Sequence, residues 1–164
     1  MPAGDGPGVV DTTPIIALTL AGRLDLLQTF YQQVVIPPAV RSELEAGGER
    51  RPGAAELAAA SWIEAIALED PGRAELLADL DRGEAEVIAL AQERHARLVV
   101  IDERLGRQHA QRLALPVTGT VGLLLRAKED GLLPAVRPLV ETLQKGGIYL
   151  GAPLVERALR LAGE

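Results

Sequence analysis

The chain of 164 residues carries a formal net charge of −6, is 48% hydrophobic and 2% aromatic, and contains no cysteine. Its length suits one domain, its apolar residues suffice for a core of Leu, Ala, Val and Ile, and the missing thiols exclude disulfides and thiolate metal sites. The negative balance argues against a general nucleic-acid coat protein, while leaving room for a local basic patch or for acids gathered around a cation.

The opening stretch, MPAGDGPG, has neither a positive n-region nor an apolar h-region, so no signal peptide is expected and residues 1–8 read as flexible. No apolar run approaches the roughly 20 residues that span a bilayer, so a soluble cytoplasmic protein with no membrane partner is expected. The folded chain starts with VVDTTPIIAL: a strand over Val9–Asp11, then a helix over Pro14–Ala21 with Thr13 placed to cap it. A helix over Leu24–Tyr31, a strand over Val34–Ile36 and a helix over Pro38–Ala46 follow, and GGERRPG at 47–53 reads as a loop. Next come a helix over Ala54–Ala60, a strand over Trp62–Leu68, and helices over Arg73–Asp79 and Glu84–His95. The strand Leu98–Asp102, the helix Arg104–Ala114, the strand Pro116–Thr118 and the helix Thr120–Asp130 precede two last helices near Pro134–Gln144 and Pro153–Ala162. Short β-rich runs alternating with helical ones indicate βαβ units and a parallel sheet. This is an α/β chain of one domain over 1–164, with 134–164 as its C-terminal helices.

Two apolar strands end on an acid, VVD on Asp11 and LVVID on Asp102. In an open parallel sheet ligands bind beyond the carboxyl ends of the strands, so neighbouring strands would bring these carboxylates together. Taken singly, each also suits an ordinary helix N-cap. In GEAEVIALAQERH, at about 100° per residue, Val87, Ile88 and Ala91 form an apolar stripe with Glu84 at its centre, and Glu86 and Glu93 fall on the opposite, solvated face. PPAVRSELEAG repeats the pattern more weakly: Val40 and Leu44 form the stripe, Glu43 lies on its flank, and Glu45 points away with Arg41. Asp11, Glu43, Glu84 and Asp102 thus share an inward bias. Like charges converging in an interior require raised pKa values or a cation. Oxygen-only ligation favours Mg²⁺ or Mn²⁺, and Mg²⁺, which keeps waters and takes phosphate ligands, points to a phosphoester substrate.

Around Asp102 the sequence places Arg94, Arg97, Arg104, Arg107 and Arg112. Guanidinium groups suit bidentate phosphate contact, and any one of them equally suits an ion-paired helix face. Arg104 and Arg107, three apart, share a helix face. His95 ends the Glu84 stripe and reads as a packed or dipole-paired histidine, with His109 in the same region; Lys128 reads as a helix C-terminal cation. Trp62 and Tyr149 are too isolated to form a base-stacking platform. The final helix, with Leu154, Val155, Ala158, Leu159 and Ala162, reads as cover for the core or a dimer seam.

The stretches VVDTTPIIAL, VVIPPAVRSELEAG, the long run from LDRGEAEVIALAQERH through RAKEDGLLP, and ERALRLAGE resemble, in one order over most of the chain, the PIN-domain ribonucleases. They are most similar to a PIN-like branch found among prokaryotic toxin–antitoxin proteins. The resemblance implies a three-layer α/β/α sandwich with a central parallel sheet, and an endoribonuclease dependent on Mg²⁺ or Mn²⁺. It places Asp11, Glu43, Glu84 and Asp102 at the family's acidic positions and Thr12 or Thr13 at its hydroxyl position. Many PIN nucleases have Asp where this chain has Glu84. RNA is the implied substrate, with Arg104, Arg107 and Arg112 as candidate contacts beside Thr12 and Thr13. A small antitoxin protein and a homodimer are the implied partners.

Two other classes fit parts of the pattern. A phosphoaspartate receiver would also have acids at strand ends with a Thr and a Lys nearby, but Lys128 falls inside a helix and the acidic pair expected on the first strand is missing. A non-catalytic PIN-like binding or regulatory protein would share the fold, and the four filled acidic positions count against it.

Overall fold

The computed structural model describes residues 4–164. Among them five short strands form one sheet: Gly8–Val10 (β1), Val34–Ile36 (β2), Ile63–Ala65 (β3), Leu98–Val100 (β4) and Val117–Thr118 (β5). All neighbours pair parallel, in the order β3-β2-β1-β4-β5. Central strands of a parallel sheet are covered on both faces and so read as continuous apolar runs. Val9, Val10, Val34, Val35, Ile36, Val99 and Val100 are accordingly all fully buried. The edge strand β3 buries Ile63 and exposes Glu64 and Ala65.

The helices are Thr12–Leu20 (α1), Asp25–Tyr31 (α2), Pro38–Ala46 (α3), Ala54–Ala59 (α4), Gly72–Glu75 (α5), Arg82–Glu93 (α6), Arg104–Arg112 (α7), Thr120–Glu129 (α8), Arg137–Lys145 (α9) and Ala152–Leu161 (α10). They complete the three-layer α/β/α sandwich. Large side chains such as Leu18, Leu26, Ile88, Leu124 and Leu143 are fully buried between the layers, each stabilising the fold by roughly 1.5–3 kcal/mol. A single 3-10 turn, Gly48–Arg50, sits inside the expected loop, and α5 is shorter than the sequence suggests.

Several expectations need correction. Residues 4–8 were read as flexible, yet Gly6 N–H donates to His95 O (3.0 Å), Arg97 N–H donates to Pro7 O (3.1 Å), and Gly8 already belongs to β1. Gly8 also meets the Tyr31 ring so closely that a Cβ there would stand 2.9 Å from Cγ. Residues 1–3, part of the same stretch, lie outside the described residues. The first helix starts at Thr12 and not Pro14, and its N-cap is Asp11, not Thr13. Pro14 is no obstacle, because the first turn's amides have no intrahelical partner.

The helical wheel misplaced Glu86. It assumes one solvated face, whereas α6 packs against β1, β4, α3, α5 and α7 and is buried at every position from Gly83 to Ala91. The Glu86 carboxylate accepts the Ala39 amide at 2.8 Å. It thus caps α3, which opens on Pro37 and Pro38 and has no side-chain cap of its own. Glu93 likewise accepts the amides of Glu69 and Asp70, each at 2.9 Å.

The chain runs outward from β1 to β2 and β3, then crosses back to lay β4 and β5 on the other side of β1. The direction of winding therefore reverses between β1 and β4. At such a switch point the loops beyond the carboxyl ends part and leave a crevice. Asp11 stands one residue past the end of β1, and Asp102 two past the end of β4.

Candidate active site

Asp11 is held at the start of α1, where its Oδ1 accepts the Thr12 amide at 2.8 Å. Only 6% of the residue is exposed. Burial lifts its carboxyl from 3.8 to about 7; the Thr12 amide opposes the shift, and Glu84, Asp81 and Glu43 reinforce it by like-charge repulsion. Glu84, on the first turn of α6, is equally buried. Its carboxyl is also lifted to about 7, by burial first and then by Asp81 and Glu103, with Glu43 adding a smaller push and the Asp81 amide pulling the other way.

Glu43 reaches in from α3. Its Oε2 accepts the Thr12 hydroxyl at 2.7 Å, and its Oε1 lies against Gly83 where any Cβ would collide with it. A glycine at 83 is thus what lets Glu43 approach α6. Asp102 is held differently. Its Oδ1 accepts the Thr120 amide and its Oδ2 the Thr120 hydroxyl, both at 2.7 Å. The pair caps α8, whose own N-cap, Gly119, offers no side chain, and a Cβ at Gly119 would stand 2.7 Å from Asp102 Oδ1.

The structure therefore brings Asp11, Glu43 and Glu84 into mutual electrostatic reach and sets Asp102 on the adjacent strand end, fastened to α8. Among the described residues none of these four, nor Asp81, makes an ion pair. No three of the described acidic side chains already stand close enough to hold one ion between them. In chemical type they fit a hard divalent cation: every donor is oxygen, two carboxyls are pushed towards neutrality, and among the described residues no cationic side chain pairs with them. Asp11, Asp102, Glu84 and Glu43 are the residues that would hold it.

Beside Asp102 opens a groove of about 730 Å³. Thr13, Asp102, Arg104 and Arg107 line it, together with the 147–150 loop and α10.

The PIN-domain family model matches residues 7–164. The chain belongs to the PIN-domain family. The solved structure of the PIN domain endonuclease Utp24 is similar in fold, with a TM-score of 0.53 at 17% identity, over 68% of this chain and 83% of that one. No curated protein sequence matches the chain.

Within this PIN domain the five arginines expected around Asp102 do not stay together. Arg104 and Arg107 line the groove. Arg112 ends α7, about 12 Å along the helix axis from Arg104, where its charge acts on Asp79. Arg94 and Arg97 lie before β4, at the opposite edge of the sheet. Proximity in sequence misled here because a strand, however short, carries the chain from one sheet edge to the other. His109 pairs with Asp79 at 2.9 Å. His95 is exposed in a left-handed turn (φ 51°) rather than packed. Lys128 bonds to Glu164 and to Ala162 O, which removes the cation a receiver site would need.

Two site residues escaped the sequence reading. Asp81 caps α6 by accepting the Glu84 amide at 2.8 Å and adds its charge to both Asp11 and Glu84. Its signal was present, since Asp-x-x-Glu before an apolar run marks a helix start. Thr120 had no comparable signal, because its partner lies 18 residues away.

Proposed function

We propose that this PIN domain is a metal-dependent endoribonuclease that hydrolyses RNA phosphodiester bonds, acting with Mg²⁺ or Mn²⁺. Family membership supports a nuclease function, and PIN nucleases generally use divalent metal ions. The observation that carries the reading is the set of buried, uncompensated carboxylates at the switch point, beside a groove that presents Arg104 and Arg107. Such a cluster destabilises the fold unless it serves a cation, and perturbed carboxyls of this kind gather at functional sites.

When bound, the cation would lower the pKa of a water and neutralise charge developing on the phosphate. The chain's own groups divide the remaining work. Asp11, fixed by the Thr12 amide, and Asp102, fixed by Thr120, hold carboxylates at rigid strand ends. With carboxyls near 7, Asp11 and Glu84 sit in the range suited to exchanging a proton at neutral pH. Thr12 orients Glu43, and Thr13 faces the groove. Arg104 and Arg107 offer the phosphate forks. The roles of toxin, of partner to a small antitoxin, of homodimer and of cytoplasmic protein rest on the sequence reading. No helix among the described residues is long and apolar enough to cross a membrane.

The test is cleavage of single-stranded RNA by the purified protein with Mg²⁺ or Mn²⁺, with chelator, and by Asp11→Asn and Asp102→Asn. The expected loss on either substitution exceeds the roughly 10–100-fold that removing an outer partner of a metal ligand costs, with the circular dichroism spectrum unchanged. Cleavage that persists in both variants or in chelator would refute the assignment.

A further inference from the structure

We infer that the groove beside Asp102 contains a nucleotide subsite, in which the Tyr149 ring stacks on an unpaired base and Arg157 takes a neighbouring phosphate. The inference rests on the nuclease reading above and names residues that reading does not use. Tyr149 is 91% exposed, in a chain with four aromatic residues. Tyr31 is buried, Phe30 lies under the Arg126 guanidinium at 4.3 Å, and Trp62 packs against the core. The Tyr149 ring alone has no packing duty.

The backbone that carries it is nevertheless held. The Ile148 amide donates to Leu143 O (3.0 Å) and the Gly147 amide to Gln144 O (3.2 Å), so α9 ends in a closed turn just before Tyr149. On the other side α10 packs against α8 and buries Ala158. The terminal Glu164 ties this arm back to Lys128, Val136 and Arg137. The backbone that carries the ring is therefore in place before a ligand arrives.

Charge and shape select the occupant. Arg104, Arg107 and Arg157 all line the groove, and among the described residues none of the three is in an ion pair or a hydrogen bond to a carboxylate. Ile148, Leu150 and the half-exposed Leu154 line the same groove. An apolar peptide or the apolar face of a second copy would bury three guanidinium groups with only Asp102 and Glu103 of the lining to offset them, which is costly. A single-stranded nucleotide supplies both halves, an anion for the arginines and a flat ring for Tyr149. The groove's volume of about 730 Å³ lies within the 300–1,000 Å³ of pockets that enclose small molecules. Stacking accepts any base, so the subsite requires an unpaired base without dictating its identity.

The experiment measures binding of a short single-stranded oligoribonucleotide in an Asp11→Asn background, where cleavage is blocked. Tyr149→Ala should weaken binding by about 5- to 150-fold, the range of one lost base stack, while Tyr149→Phe should retain it. An oligonucleotide that is fully base-paired should bind the Tyr149→Ala variant and its parent alike. Arg157→Ala should lower the slope of log affinity against log salt by about 0.7. Unchanged single-strand affinity in Tyr149→Ala would overturn the inference. So would a change from dimer to monomer in that variant with RNA binding intact, which would make the groove a seat for a second copy. The outcomes separate the two readings. If the wild type fails to cut RNA with metal yet binds through Tyr149, the nuclease assignment falls and the subsite stands. If it cuts and Tyr149 is immaterial, only the subsite falls.

Discussion

Glu84 and Glu164 are the same side chain in opposite circumstances. Glu164 accepts the amides of Val136 (2.7 Å) and Arg137 (3.0 Å) and pairs with Lys128 at 2.9 Å. The Val136 amide first, then Lys128, hold its carboxyl down at about 2. Glu84 is surrounded by burial, Asp81, Glu103 and Glu43, and its carboxyl stands at about 7. The fold can satisfy a carboxylate completely, and at the tip of the C-terminal arm it does. At the switch point it gathers carboxylates without a cationic side chain. The C-terminal acid is paired and hydrogen-bonded; the strand-end acids repel one another with no ion pair among the described residues.

That contrast can be broken with acids alone. The largest effect is expected from Asp11→Asn in metal-free protein. The folded pKa of Asp11 is raised from 3.8 to about 7, so the folded state binds the proton more tightly than the unfolded one. The cost is fully present above about pH 7 and is shed as pH falls towards 4. At about 1.4 kcal/mol per pKa unit, the substitution should stabilise the chelated protein by roughly 2–4 kcal/mol at pH 8, and by about a quarter of that at pH 4.5. Urea unfolding at the two pH values checks this; equal midpoints for variant and wild type at pH 8 would mean that Asp11 carries no such burden.

A middle effect is expected at Glu86, the acid that α6 uses structurally. Removing the cap of α3 by Glu86→Ala should cost about 0.5–2 kcal/mol while leaving metal-dependent cleavage per folded molecule near wild type. A loss of cleavage as deep as that of Glu84→Gln would move Glu86 from the frame into the site.

The smallest effect is expected at Glu164. Because its folded pKa is depressed, its contribution is present above the unfolded value of 4.5 and is lost as pH falls towards 2. Glu164→Gln should therefore lower the unfolding midpoint at pH 7 and match wild type near pH 2. A variant less stable than wild type by the same amount at both pH values would place the effect in packing instead of charge.

How far the sequence revealed this depends on the range of each interaction. β2 was legible to the residue, and β1 and β4 to within two, because a valine run between turn residues admits few alternatives. Glu43 and Glu84 were legible as inward-facing acids, since the apolar stripe on each helix defines inward, and Asp11 as an acid at a strand end. Glu86 was not, because the wheel cannot show that α6 is enclosed on every side. Asp102 was legible as a strand-end acid, but its grip on Thr120 required knowing that β5 lies next to β4. Tyr149 looked solitary in the sequence. Only the turn between α9 and α10 brings it into the same groove as Arg104 and Arg107, some 40 residues earlier in the chain.

We propose that the strand-end acids are held against their own repulsion in order to receive a divalent cation. The most direct test is calorimetric titration of Mn²⁺ into chelator-stripped protein, repeated in buffers of different ionisation enthalpy. A cation must displace protons from carboxyls that stand near 7. The account predicts binding that releases protons at pH 6.5, releases few at pH 8.5, and is lost in Asp11→Asn. Binding with no proton release at pH 6.5, or binding that survives Asp11→Asn unchanged, would contradict it.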